Sequence, residues 1–600
     1  MRPLPPEAPI AMPVQRFGEP PRPNAPVADG QTVEPADMLS RRVLLVLLTG
    51  LFATAASTTL RESLIQDGID AWDVALLLLF FPLFGWIAFG FLNAAIGFVL
   101  LITGSHPGFV PAPSSAGTLT GRTAVLVPIH NEDVAAVYGR VERMARSLAD
   151  AGAAHLFDFF ILSDSGPAAE PEEFAAWEAL APRAAVPVYY RRRTHNIGRK
   201  PGNVAEWIRR FGSAYDYMMM LDADSLMGGR AMVGMAQVME QRPGIALLQT
   251  VPTVIDAQTL FQRWMQFASR LYGPISTAGL VWWSGAEATF WGHNALVRVT
   301  AFASSCGLPD LSGNPPFGGA IMSHDMVEAA LLRRRGWAVH MIMIEDSHEE
   351  YPPTLIDQAV RDRRWAQGNI QHLRLLDSAG FHWISRLQLL IGASAYITSP
   401  AWLVLIATTI AQALAGQTTL VGSGGNSAVS LQVFGITLVL LFGPKLLSVI
   451  WALSNPACRA AFGGRRAILR SVAFDIPLSM LVAPVTALTQ TIDLINIVRG
   501  RPSGWAPQNR NRDGLSWADA FPRYRWHMAL GFAFLLLSPF APITALWLIP
   551  VTLGLLLAPV LAIWTASSAR GQAMADSGYF QVPGSPIVSG DSPRLLSPAT

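Results

Sequence analysis

Long apolar runs at either end of the chain bracket a middle stretch in which apolar and polar residues alternate in short blocks. Val43 to Thr59 and Ala75 to Thr103 form the first pair of runs, and the second is long enough to cross about 30 Å of hydrocarbon with tilt to spare. Arg41 and Arg42 precede the first run, and the connection between the two holds Arg61, Glu62, Asp67, Asp70 and Asp73. Basic residues before the first span and an acidic connection after it put the N-terminus, and the chain beyond the second span, in the cytoplasm. Further runs cover Leu387 to Ala415, Val429 to Leu453, Val472 to Val498, His527 to Ala541 and Thr544 to Thr565. The run from Val472 is broken by Asp475, Pro477, Pro484 and Asp493, and Arg499, Arg501, Arg510 and Arg512 follow it. A single crossing there would place this basic loop outside, against the positive-inside trend, so a re-entrant or interfacial course is the alternative. About six to eight spans result, with their parity open.

Between Gly121 and Leu376 the period changes. Thr123–Ile129, Phe157–Leu162, Val186–Tyr190 and Tyr217–Leu221 are short apolar runs, and Asp133–Ala151, Glu170–Leu180 and Val204–Phe211 suit helices between them. Such alternation predicts a mainly parallel sheet covered on both faces, an α/β domain inserted into a membrane-embedded helical bundle. Phe261, Trp264, Met265, Leu271 and Tyr272 fall near one helical face, which suits a helix in the membrane interface and equally well a core stripe. The resulting division is a Pro-rich disordered tail (1–40), two spans (41–104), the cytoplasmic domain with interfacial helices (105–386), a bundle with basic cytoplasmic loops (387–568) and a second disordered tail (569–600).

Composition agrees with a membrane protein. Apolar residues make up 51% and charged residues 14%, against about 25% charged in ordinary soluble domains. A net charge of +2 gives no case for nucleic acid as a partner. Cys306 and Cys458 are the only cysteines, which excludes a disulfide framework and a Cys-based zinc site.

Candidate chemistry collects at the ends of the apolar runs. Tyr217–Leu221 ends in Asp222-Ala223-Asp224, with carboxylates at i and i+2 that share a side if strand geometry persists. Two carboxylates there would repel unless a cation sat between them and a diphosphate, and Mg²⁺ or Mn²⁺ suits such oxygens. An isolated Asp-x-Asp is also a common surface feature. Thr123–Ile129 runs into His130, Asn131 and Glu132, and Phe157–Leu162 into Asp164. Ser323-His324-Asp325 opens one predicted helix, and Arg361-Asp362-Arg363-Arg364-Trp365 lies on another. Each has a plain alternative: a turn, a helix cap, a solvated face.

Taken together, these motifs resemble the family 2 processive glycosyltransferases, the group that holds cellulose and hyaluronan synthases. That family places an Asp at one strand end, then an Asp-x-Asp, a later Asp as base within Thr-Glu-Asp, and a Gln-x-x-Arg-Trp motif. Asp164, Asp222 with Asp224, Asp325, and Arg361 to Trp365 stand at the matching positions. Arg361 replaces the Gln, and Ser323-His324-Asp325 replaces Thr-Glu-Asp. With Phe290-Trp291-Gly292-His293-Asn294-Ala295, these departures resemble a narrower branch, the proteobacterial glucosyltransferases that build the backbone of osmoregulated periplasmic glucans. The resemblance covers about residues 40 to 525 and implies a GT-A-like domain.

What the resemblance implies is specific. Asp325 would be the catalytic base; Glu132, Asp164, Lys200, Asn203, Asp222, Arg361 and Arg364 would bind the UDP-sugar donor; Asp224 with Asp222 would hold the metal. Trp365, Trp291, Gly292, His293 and Asn294 would meet the acceptor. An activated sugar carries its own leaving group, so a metal and Arg364 would stabilise the diphosphate while one base takes the acceptor proton. One base implies one displacement with inversion, whereas glycosidases need two carboxylates around the bond. The expected reaction is transfer from UDP-glucose to a growing β-1,2-linked glucan at the bacterial inner membrane, the chain then passing through the spans. Acyl carrier protein enters as a partner by resemblance only. The alternatives are synthesis of cellulose or an N-acetylhexosamine polymer, a nucleotide-sugar sensor without turnover, and a plain transporter.

Overall fold

The computed structural model describes residues 4–21, 36–64, 68–108, 119–416, 427–501 and 512–584. Apolar stretches without charge become long helices: α1 (Met38–Leu64) and α2 (Ala71–Ile102), with Asp70 capping the second through a reciprocal pair with Asp73. The inserted domain follows. Its strands are β1 (Thr123–Ile129), β2 (Phe157–Ser163), β3 (Val188–Arg192), β4 (Tyr217–Met220), β5 (Leu226–Met227), β6 (Ile245–Thr250), β7 (Thr253–Ile255), β8 (Ala295–Arg298), β9 (Ala338–Ile342) and β10 (Ser347–Glu350). Its helices are α3 (Val134–Asp150), α4 (Glu170–Leu180), α5 (Arg199–Phe211), α6 (Gly229–Gln241), α7 (Leu260–Ser284), α8 (Val299–Ser305), α9 (His324–Arg334) and α10 (Leu355–Gln371). The second helical part comprises α11 (Trp383–Leu414), α12 (Ser427–Ser454), α13 (Pro456–Ala461), α14 (Arg465–Val498), α15 (Trp517–Leu536), the short α16 (Pro542–Trp547), α17 (Ile549–Leu556) and α18 (Ala558–Thr565), and α19 (Ser568–Asp576).

Seven strands form the main sheet in the order β3-β2-β1-β4-β8-β6-β9. All its pairings are parallel except those of β8, which runs against β4 and β6. Period-2 alternation divides the core: Val125, Val127, Phe159, Ile161 and Met219 pack on one face, and Ala124, Leu126, Phe160, Leu162, Met218 and Met220 on the other. Both faces are covered, which is why these strands read as unbroken apolar runs. A small sheet of β5, β10 and β7 stands beside the main one.

Among the described residues, five helices are long and apolar enough to cross a membrane: α1, α2, α11, most of α12, and α14. The molecule is thus a membrane helical part carrying an α/β domain. The bundle is joined to the domain by polar contacts at its edge. Asn93 of α2 donates to Ser276 O at 2.8 Å and accepts from Trp283 Nε1 at 3.0 Å, both on α7. Gly97 and Gly279 let these two backbones touch: a Cβ on either would sit within about 2 Å of the facing carbonyl oxygen.

α14 meets the inserted domain at two places along its length. Near its start Asp475 accepts hydrogen bonds from Trp264 and Tyr272 of α7 and from Lys445 of α12, each at 2.6 Å. Near its end Gln490 donates to Asp362 of α10 at 3.2 Å, and Asp493 lies 3.8 Å from Arg363. α14 therefore contacts α7 and α10 at separate points along its length. Arg363 also donates to Arg501 O at 2.9 Å, and Arg512 lies 3.6 Å from Asp357, so the flanks of the basic loop are on the domain's side.

Three expectations need correction. The N-terminal tail is not wholly disordered: Gln15 N donates to Gly307 O at 2.8 Å, Ala8 N to Arg210 O at 2.8 Å, and Met12 is buried against the domain. Proline favours an extended chain, and an extended chain can lie along a surface. Nor is the segment after 568 a loose tail, since α19 forms and Phe580 packs between Phe267 and Phe474. Its polar composition hid one buried aromatic anchor. Residues 22–35 and 585–600 of those tails lie outside the described residues. The stripe on α7 is core: Phe261, Trp264 and Leu271 are buried against α12, α14, α15 and α18.

Candidate active site

Neighbouring parallel strands end together, so the polar residues after them face one space. β3, β2, β1 and β4 lie side by side, and the residues that follow β1, β2 and β4 include Glu132, Asp164 and Asp222. They line a cleft of about 560 Å³ together with Lys200, Asp224, Trp291, Gly292, His293, Asp325, Arg361, Arg364 and Trp365. Residues from well-separated parts of the chain thus meet in one place.

The strand geometry invoked for Asp222 and Asp224 does not persist. β4 stops at Met220, and the two carboxylates sit on a turn that Asp222 N closes by donating to Ser225 Oγ at 2.9 Å. Both still reach the cleft. Lys200 does not stand alone as a phosphate contact: its ammonium donates to Asp222 and, at 2.7 Å, to Gly292 O. Burial alone would push the Lys200 ammonium down, but Asp222, Asp325 and Glu328 outweigh it and hold it above its ordinary value.

Asp164 is held from behind. Arg193 Nε and Nη2 donate to its two carboxylate oxygens at 2.7 Å each, and Asn203 Nδ2 donates to Oδ1 at 2.9 Å. Asn203 is fully buried and does not line the cleft, so its expected contact with the donor is replaced by support of Asp164. Arg193 was not singled out in the sequence; its signal was the position just past β3, in register with the end of β2. Asn294 is also fully buried, donating to Ser347 Oγ at 2.9 Å and His348 O at 3.0 Å, rather than facing the acceptor.

Asp325 lies in the first turn of α9, where a negative charge is favoured by the helix dipole. The preceding Ser323 has φ 45° and the facing Gly292 φ 86°. A Cβ on Gly292 would come 2.4 Å from Asp325 Oδ1, so glycine is required for the wall to approach the carboxylate. His324 Nδ1 stands 3.2 Å from Asp325 Oδ1 and 3.0 Å from Glu328 Oε1. These three are the one set among the described residues whose His, Cys, Asp or Glu ligand atoms all lie within 4.8 Å of one another.

On α10, Arg361, Arg364 and Trp365 stand at i, i+3 and i+4 and line the cleft, while Asp362 and Arg363 turn to α14. The Arg361 guanidinium lies 4.3 Å over the Trp365 ring and 3.9 Å from Glu349. Glu349, also missed in the sequence, lines the cleft on β10 and lies 3.5 Å from His293 Nε2. Burial raises its carboxyl even though His293 and Arg361 pull it down. Its neighbour His348 is buried, pushed down to about 4 by desolvation, and paired with Thr253 Oγ1 at 2.8 Å.

The donor set suits a hard divalent cation. Asp222 and Asp224 offer carboxylate oxygens at the cleft wall, and diphosphate oxygens would complete the coordination.

A family model described as glycosyl transferase family group 2 matches residues 217–453. Glucans biosynthesis glucosyltransferase H from Caulobacter vibrioides (strain NA1000 / CB15N) is 40% identical over 605 residues, covering 97% of this chain and 90% of that protein. The protein of the same name from Vibrio cholerae serotype O1 (strain ATCC 39541 / Classical Ogawa 395 / O395) is 41% identical over 585 residues, 94% of this chain and 80% of that one. A solved mannosyltransferase from Pyrobaculum calidifontis, in complex with GDP-Man and Mn²⁺, covers 64% of this chain and 96% of its own at 14% identity and TM-score 0.41, a likeness that carries no argument.

Proposed function

We propose, from the premise that this chain belongs to the glucans biosynthesis glucosyltransferase H family of family 2 glycosyltransferases, that it transfers glucose from UDP-glucose to a β-1,2-linked glucan with inversion. The observation that carries this reading is the gathering of Asp222, Asp224, Asp325, Arg364 and Trp365 around one cleft.

In this mechanism Arg364 presents two parallel N–H donors to the diphosphate. Trp365, 44% exposed, and Trp291, 38% exposed, offer flat faces to sugar rings. Asp164, fixed by Arg193, faces the base of the nucleotide, with Glu132 close by. Asp325 takes the proton of the attacking acceptor hydroxyl. Its position on a different element from Asp222 and Asp224 suits attack on the side away from the leaving group. A divalent cation, Mg²⁺ or Mn²⁺, held by Asp224 and Asp222 would offset diphosphate charge as the glycosidic bond to the donor breaks. The catalytic domain lies in the cytoplasm at the inner membrane, where UDP-glucose is made, and the growing chain leaves through the helical part.

Membranes carrying the protein, supplied with radiolabelled UDP-glucose and Mg²⁺ or Mn²⁺, should yield a β-1,2-linked product by linkage analysis. Asp325→Asn should abolish transfer while UDP still binds. A product of different sugar or linkage overturns the substrate, and turnover by Asp325→Asn overturns the base.

A further inference from the structure

His324 replaces the Glu of the wider family's Thr-Glu-Asp, immediately before the base, and the structure gives that exchange a geometric reason. Its Nδ1 lies at ion-pair distance from Asp325 Oδ1 (3.2 Å) and Glu328 Oε1 (3.0 Å), and neither contact has hydrogen-bond geometry. All three atoms belong to the first two turns of α9, since His324 and Glu328 are separated by one turn. Glu328 is 2% exposed and His324 8%, so bulk water does not relieve the Glu328 carboxylate, while the Asp325 side chain is 23% exposed to the cleft. A Glu at 324 would put a third acid where two already crowd.

We propose that His324 is a positioning residue for the base, which clamps Asp325 Oδ1 against Glu328 and leaves Oδ2 as the proton-accepting atom. The inference rests on Asp325 being that base. The charged and titratable groups facing the imidazole are Asp325 and Glu328 on its own helix, Lys200 from α5, and His372 just after α10. Burial would lower the imidazole, but Asp325 and Glu328 outweigh it and raise His324 to about 9, so it carries a proton at neutral pH. His372 is pushed down to about 4 by burial and stays neutral, pairing with Met322 O and Ser323 O at 3.3 and 3.0 Å. It therefore braces the backbone before the base without competing for the role. Removing the imidazolium leaves Asp325 beside Glu328 with Lys200 as the one remaining cation of those named, which moves the balance toward the protonated, inactive acid.

The test is the pH dependence of transfer by the full-length protein in proteoliposomes, for His324→Gln and Glu328→Gln. His324→Gln should lower kcat at pH 7 about tenfold or more, a part of the 10²–10⁴ that a placed base supplies. The acid limb of its kcat profile should rise by about one pH unit, with UDP affinity within about twofold of the parent. Glu328→Gln should not raise that limb, because the imidazolium then serves Asp325 alone; it should lower kcat only severalfold. A parent-like profile in His324→Gln, or the same upward shift in both variants, overturns the proposal. So does loss of one tightly bound divalent ion in His324→Gln, which would make the trio a metal site. Should His324→Gln fail to fold, Glu328→Gln decides: an upward limb or a parent-like kcat overturns the clamp. An inactive Asp325→Asn beside a parent-like His324→Gln defeats this inference only, whereas an active Asp325→Asn defeats the base itself.

Discussion

Gly292 offers the sharpest perturbation of the proposed base, because it has no side chain and its backbone abuts the Asp325 carboxylate. In Gly292→Ala the new Cβ would lie 2.4, 2.6 and 2.7 Å from Asp325 Oδ1, Cγ and Oδ2, where ordinary contact begins at 3.4 Å. The carboxylate must therefore retreat by about 1 Å, a displacement of the kind that costs about 10²-fold in rate. A separate effect comes from φ 86°, which an L side chain tolerates at a cost of about 1–2 kcal/mol. The two are distinguishable. Strain lowers the melting temperature of the detergent-purified protein, while misplacement lowers kcat at saturating UDP-glucose and leaves UDP affinity near the parent value. Transfer of radiolabel to product and UDP binding by calorimetry, on the same preparation, measure both. A kcat within about threefold of the parent would refute the placement of the base against this wall. If UDP affinity fell as far as kcat, the cause would be Lys200, which donates to Gly292 O, and the damage would lie in the donor site.

Glu287→Gln should cost about 3–5 kcal/mol, since it leaves the buried Arg42 and the half-buried Arg333 about a neutral group; thermal melting reads it, and an unchanged midpoint counts against the ion cluster of Glu287 with these two arginines. Arg193→Lys, which gives up the two-pronged grip on Asp164, should weaken UDP binding about tenfold with kcat nearly intact, as measured by calorimetry and transfer rate. His324 has a folded-state value of about 9, above the usual 6.5, so its contribution to stability is full below pH 6.5 and disappears as pH rises through 9. Melting temperature should therefore fall between those limits, and fall less in His324→Gln.

The parallel strands were legible because burial on both faces leaves one signature, an unbroken apolar run ending in a polar residue. β1 was bounded to the residue, and Glu132, Asp164 and Asp222 stood where those runs stopped. β8 was not legible: its four residues follow a cluster of aromatics and begin with Ala295, with nothing local to announce a reversed strand between β4 and β6. Asn203 and Asn294 show a different limit. Sequence can match a residue to a motif, but whether an amide points into a cleft or braces the residue that does depends on packing across the domain. Glu349 was hidden for the same reason, since β10 is placed by its pairings with β5, which follows Asp224 within two residues, and with β7, where Glu349 faces Val254. Hydropathy found the helix over Val472–Val498 but not its course, because an interfacial rod and a crossing rod share a composition.

α10 explains how these parts act together. Arg361, Arg364 and Trp365 occupy the face toward the cleft. Asp362 and Arg363, between them in sequence, meet Gln490 and Asp493 of α14 on the opposite side. At its far end Gln371 holds Met322 N and His372 the carbonyls of Met322 and Ser323, directly ahead of Asp325. Gly368 leaves no room there, as a Cβ would come 2.3 Å from Ser323 Oγ. A rigid helix cannot shift one of these faces without shifting the others. Any movement of α14 would therefore reach Arg361, Arg364 and Trp365 in the cleft and the loop ahead of Asp325 together, so the membrane part and the residues proposed to bind and activate substrate are linked through this one helix.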